Sequence, residues 1–193
     1  MSVADPDLTA AGENHPRASA DLIGHAAAVS ALAEARQGGR LHHGWLICGP
    51  RGIGKATLAY RFARALLAGA PPADGGLFGD ASVDDLSVDA ESAVFRQVLA
   101  GSHPDLLAIE RGFDPRRKRL RDEIVVDDVR KMGGFLALTP AMGGWRIVIV
   151  DAADEMNRNA ANAILKLLEE PPDRALVILV SHNPGRLLPT IRS

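Results

Sequence analysis

The chain has 193 residues, 47% of them hydrophobic and 24% charged, with a formal net charge of −2. That balance suits one α/β domain with a real core and rules out a global field pulling the chain onto nucleic acid or membrane. A single cysteine excludes a disulfide framework and any zinc site built on several thiolates. Residues 1–16 are polar and without period, and are expected to form a flexible tail ahead of one domain spanning 17–193. Asp21 to Arg36 spaces Leu22, Ala26, Val29, Leu32 and Ala33 as one face of a helix ending at Gly38-Gly39. Trp45 to Cys48 is an apolar run stopped by Gly49-Pro50 and predicts a buried strand. Lys55 to Leu67 predicts a helix with Leu58, Phe62, Ala65 and Leu66 on one side. Ala70 to Ser82 is a Pro/Gly/Ala-rich loop and Glu91 to Ala100 a helix. Asp105 to Ile109 is a second strand, and Arg111 to Arg121 a basic loop. Glu123 to Val126 reads as extended and Asp127 to Leu138 as helical. Arg146 to Val150 is a third strand, Asn157 to Glu170 a helix stopped by Pro171-Pro172, and Ala175 to Val180 a fourth strand. Apolar strands alternating with helices predict a parallel sheet covered on both faces.

The run Gly49-Pro50-Arg51-Gly52-Ile53-Gly54-Lys55 matches the phosphate-loop pattern as far as its lysine. Small residues let backbone amides curl around a phosphate, and the following helix points its positive end at it. Lys55 adds a point charge for the β and γ phosphates. A strand before the loop and a helix after it are the context this reading needs. The pattern then changes. A Ser or Thr hydroxyl normally follows the lysine to hold Mg²⁺, and Ala56 stands there instead. Thr57, one residue on, is turned by about 100° around the helix and cannot take the same place without distortion.

Arg146 to Asp151 is an apolar strand ending in a carboxylate, which in a phosphate-loop protein faces the Mg²⁺. A glutamate to polarise the attacking water would come next, but the residue is Ala152. Two alanines where metal and water are managed predict that hydrolysis is not retained. Losing general-base positioning alone costs roughly 10²–10⁴-fold in rate.

Beyond these motifs, Asp151-Ala152-Ala153-Asp154-Glu155-Met156-Asn157 and Ala160 to Pro172, with its Leu168-Glu169-Glu170-Pro171-Pro172 end, resemble the bacterial clamp loaders of the AAA+ class. So do His103-Pro104-Asp105 and the tail Asn183 to Ser193. Within that family Ala152 favours the delta-prime branch of DNA polymerase III over the motor subunit. The resemblance covers roughly Arg17 to Ser193. It implies a three-layer P-loop AAA+ fold with a parallel sheet, truncated before its last strand, with the family's lid and collar domains absent. It implies a nucleotide site formed by Gly49, Pro50, Arg51, Gly52, Ile53, Gly54, Lys55, Ala56 and Thr57, with Ile23 beside the base. Asp151 would face Mg, and Ser181 or His182 would stand at the sensor position. Ser193 would begin a Ser-Arg-Cys motif whose arginine reaches a neighbouring subunit's ATP site. The cofactors implied are ATP or ADP and Mg, with no zinc, since the family's four-cysteine module has no counterpart here.

The implied role is in DNA replication. The subunit helps assemble the ring that loads the sliding clamp onto primed DNA, binds nucleotide weakly or structurally, and hydrolyses little. Partners would be the motor and delta subunits, the clamp indirectly and primer-template DNA through the assembly, with no membrane and a cytoplasmic setting. Any polymerase label would belong to the holoenzyme. An active motor of the same fold and a nucleotide-free scaffold stay open as alternatives.

Other features read more plainly. Arg116, Arg117, Lys118, Arg119 and Arg121 suit a solvated, salt-bridged loop better than phosphate contact. His42 and His43 are expected at the surface. Cys48 is expected as a small buried hydrophobe, and Trp45 and Trp145 as packing residues.

Overall fold

The computed structural model describes residues 15–38, 41–69 and 84–192. The expected tail therefore lies outside the described residues except for His15 and Pro16, and so do the loop over 70–83 and Ser193. The chain runs through α1 (Ala26–Gln37), β1 (Gly44–Cys48), α2 (Lys55–Leu67), α3 (Ala93–Leu99) and β2 (Leu106–Ile109). It continues through β3 (Phe113–Asp114), β4 (Arg119–Leu120), α4 (Val126–Leu136), β5 (Arg146–Asp151), α5 (Arg158–Glu169), β6 (Ala175–Ser181) and α6 (Pro189–Arg192).

Four strands form one parallel sheet in the order β1-β6-β5-β2. Both middle strands are apolar at every inner position, because each face is covered. From β5, Ile147 and Ile149 point to the α1–α2–α3 side, and Val148 and Val150 to the α4–α5 side. From β6, Leu176, Ile178 and Val180 go one way and Ala175, Val177 and Leu179 the other. This strict alternation makes three layers. Leu58, Phe62, Ala65 and Leu66 of α2 are buried on the first face, and Ile164 of α5 on the second.

Helix ends follow local chemistry. Asn157 caps α5 by accepting the Ala160 amide at 2.9 Å, and Ser92 caps α3 through the Phe95 amide at 3.1 Å. The Asp128 carboxylate reaches back to the Val125 amide at the start of α4. Met156 forms an isolated bridge with Ile124, which sets the starts of α4 and α5 side by side.

Three expectations need correction. The first helix begins at Ala26, not Asp21, because Gly24 (φ +78°) and His25 (φ +62°) both take left-handed conformations that no helix can include. The basic loop contains an antiparallel two-residue pair, β3 with β4, on which Arg119 grips Asp122 with both guanidinium nitrogens at 3.0 Å. Cys48 is exposed: it is the last residue of β1, which is an edge strand among the described residues. Among the described residues, no helix is long and apolar enough to cross a membrane.

Candidate functional site

The C-terminal ends of β1, β6 and β5 converge on one cleft. Parallel register brings Cys48 opposite Ser181 and Asp151 opposite Val180. The loop after β1 turns sharply into α2 with φ of +154° at Gly49, +82° at Gly52 and +92° at Gly54. A Cβ at Gly49 would lie 2.8 Å from the movable Ile53 Cδ1, and φ of +154° is a conformation that other residues rarely adopt. The Gly49 amide is tied to Ser181 O at 3.2 Å. The first helical bond of α2 runs from the Leu58 amide to Gly54 O, so the amides just before Leu58 have no carbonyl within the helix to donate to.

Lys55 opens α2 with only 3% of its surface exposed. Its ammonium donates to Pro50 O at 2.6 Å, closing the loop on itself. Burial lowers the Lys55 pKa, against the opposing pull of the Asp151 and Asp154 carboxylates. A cleft of about 390 Å³ is lined by Arg51, Gly52, Gly54, Lys55, Ala56, Thr57, Asp151 and His182, and by Pro16 from the chain's beginning. Gly49, Pro50 and Ile53 belong to the same loop but do not line the cleft. Ile23 is 94% exposed and is not part of the cleft wall. Its neighbour His25 holds the loop instead, its Nε2–H donating to Ile53 O at 2.5 Å.

At the acidic end, burial raises the Asp151 pKa and the Glu110 charge raises it further, while His182 pulls it back. Ala152 is 2% exposed and packed in the turn. Of the two sensor candidates, Ser181 is wholly buried, while His182 lines the cleft.

Sequence reasoning missed the group that fixes His182. Asp154 accepts the His182 amide at 2.7 Å and the Asn183 amide at 3.2 Å. Burial opposes its charge, but hydrogen bonding, chiefly from the His182 amide, outweighs this and holds its pKa below the usual carboxylate range. It missed the N-terminal wall as well. Arg64 of α2 donates to Arg17 O at 3.0 Å and Ser19 O at 2.7 Å, and stacks over Phe95 at 4.4 Å. Burial, with Arg61 beside it, pulls the Arg64 pKa down to about 10, still high enough to keep the charge. His15 Nε2 lies 3.4 Å from the Glu110 carboxylate. No sequence signal marks such pairs, since the partners are far apart along the chain.

The fit to a nucleotide differs between the two halves of the cleft. Glycines, free-ended amides and Lys55 fit phosphates. A metal has less to hold it. Among the described residues no group of three or more His, Cys, Asp or Glu converges on one point.

The family described as DNA polymerase III, delta subunit, matches residues 24–193. Subunit delta' of DNA polymerase III from Pseudomonas aeruginosa is 40% identical over 158 residues, which are 81% of this chain and 43% of that protein. Subunit tau of DNA polymerase III from Escherichia coli is 30% identical over 178 residues, 92% of this chain and 24% of that protein. The crystal structure of a DNA polymerase III gamma subunit-related protein from Thermotoga maritima is similar with a TM-score of 0.50 at 24% identity, over 85% of this chain and 42% of that one. This last likeness shows the fold. The chain spans less than half the length of these relatives.

Proposed function

The chain belongs to the DNA polymerase III delta subunit family, and from that premise we propose that it is the nucleotide-pocket domain of a clamp-loader subunit of the delta-prime kind. Its work is structural. It packs against the motor and delta subunits in the ring that loads a sliding clamp onto primed DNA, and meets that DNA through the assembly. The setting is the cytoplasm.

In this reading the cleft binds ATP or ADP and does not hydrolyse it at a useful rate. One observation carries it: Lys55 sits buried in an intact glycine cradle, while alanine stands at 56 and 152, where a metal-holding hydroxyl and a water-polarising glutamate would be needed. The loop amides and Lys55 hold the phosphates, and the His25–Ile53 contact keeps the loop in shape. Neither neighbouring acid is placed to substitute for the missing glutamate. Glu155 is held by Arg111 at 2.8 Å, and Asp154 is committed to two amides.

The test is a titration of the full-length protein with a fluorescent ATP analogue, followed by a phosphate-release assay. Binding that Lys55→Ala weakens about ten- to a hundredfold, with release no faster than in buffer, is the expected pair of results. Magnesium-dependent turnover by the isolated protein would make it a motor. An absence of binding at any magnesium level would make it a scaffold.

A further inference from the structure

The cleft is poor in metal ligands and carries two fixed cations, Arg51 and Lys55, a contrast that bears on function only if the cleft binds nucleotide as proposed. The position after Lys55 is Ala56 and offers no hydroxyl. Four acidic side chains surround the cleft, and three are already engaged. Asp154 accepts the two amides at 2.7 and 3.2 Å, Glu155 grips Arg111 at 2.8 Å, and Glu110 faces His15 at 3.4 Å. Asp151 is the one carboxylate that lines the phosphate cleft. Mg²⁺ requires a near-octahedral oxygen shell and sheds its waters reluctantly. A single half-buried carboxylate is a weak anchor for it, and Thr57, the nearest hydroxyl in the wall, is turned from the position that normally serves.

The wall itself carries two fixed positive charges, Lys55 and Arg51, against the single carboxylate of Asp151. The same Arg51, His182 and Asp151 also line a smaller cleft of about 150 Å³, together with Glu110, Arg111 and Glu155, so Arg51 stands beside Asp151, the carboxylate of the larger cleft that would repel a metal-free phosphate. Arg51 is exposed and forms no ion pair among the described residues. A guanidinium is a planar fork of donors that fits two phosphate oxygens at once and keeps its charge at any physiological pH.

We propose that this site takes its nucleoside diphosphate or triphosphate without a divalent cation, and that Arg51 supplies the second positive charge that a metal ion would otherwise bring to the phosphates. The ligand class is thus the free nucleotide polyanion, and Arg51 a specificity-determining residue for it. Holding the nucleotide without a metal also suits a subunit that keeps its ligand unhydrolysed.

Fluorescent ADP and ATP analogues are titrated into the full-length protein in two buffers, one with Mg²⁺ and one with EDTA. Equal affinity in both is expected. Arg51→Ala should weaken binding about tenfold or more in EDTA, the size of a lost hydrogen-bonded charge, and Arg51→Lys should recover only part of it. Because Arg51 is exposed, Arg51→Ala should melt at the wild-type temperature, which separates lost contact from lost fold. Ala56→Thr, which restores the hydroxyl, should make binding tighter in Mg²⁺ than in EDTA. A wild-type protein that loses its affinity in EDTA overturns the proposal and leaves nucleotide binding itself standing, as does an Arg51→Ala variant that binds as well as wild type. A protein that binds in neither buffer overturns both.

Discussion

Arg146 holds its guanidinium 3.5 Å from the carboxylate of Asp105, and the two side chains are 8% and 1% exposed. The pair joins the start of β5 to the residue before β2. Each partner also fastens the connection that leads from α4 to β5. Asp105 accepts the Ala141 and Met142 amides at 2.7 and 2.9 Å. Arg146 donates to Thr139 O and Phe135 O and lies over the Phe135 ring at 4.7 Å. His103, also buried, accepts the Asp105 amide through Nδ1.

Asp105→Ala leaves a buried guanidinium without its counter-charge. It should cost about 3–5 kcal/mol of stability, read from urea unfolding. A loss below about 1 kcal/mol would mean that the pair behaves like one at the surface.

Arg64→Met keeps much of the apolar bulk over Phe95 but removes both donors to Arg17 O and Ser19 O. A loss of roughly 2–3 kcal/mol is expected, since two bonds to a charged donor go. Trypsin should then cut after Arg17 faster than in the wild type. An unchanged cutting rate would show that α2 does not hold the N-terminal segment in place.

Glu110 gives a pH signature. Burial opposes its charge, but the His15 hydrogen bond and charge, the Arg17 charge and the Tyr60 hydroxyl outweigh this and lower its pKa. Asp151 faces it too, and each carboxylate disfavours charge on the other. A depressed folded-state pKa stabilises the fold above the ordinary glutamate value, and that contribution is lost as pH falls through the lowered one. Glu110→Gln should therefore be less stable than wild type near neutral pH, and the difference should close in acid. A gap that stays constant with pH would assign the effect to packing.

Lys55→Met should separate binding from stability. The lysine's lowered pKa means that folding disfavours its charge. Removing it should leave the melting temperature at neutral pH equal or higher, while affinity for the fluorescent nucleotide falls about ten- to a hundredfold. A drop in melting temperature with intact affinity would reverse both halves.

Much of this architecture was legible in the residues. α2 has the bounds its Lys55–Leu67 pattern predicts, and the four sheet strands lie where apolar runs meet turn residues, because covered parallel strands have no polar face to blur them. The tight turn between β1 and α2 was legible since glycine spacing is a backbone requirement written in sequence. What failed was non-local. Nothing in the string Asp21-Leu22-Ile23-Gly24-His25 says that His25 will adopt a left-handed conformation and reach Ile53, 28 residues away. Cys48 looked interior because its run is apolar, yet the run ends at the edge of the sheet, where only one side has a neighbour. Pro16 looked like part of a tail and proved to be a wall, because the arginines that fix the segment lie on α2.

The pairing of β6 with β5 and β1 acts as a ruler for the cleft. Ser181 closes the strand facing inward, and His182 follows it into the opening. A slip of one residue that moved His182 into the place of Ser181 would sink an imidazole into the buried layer and bring Asn183 to the opening. The chemistry of the cleft is thus set by strand alignment far below it, so an apolar substitution deep in β6 that loosened this alignment would change the cleft without touching it.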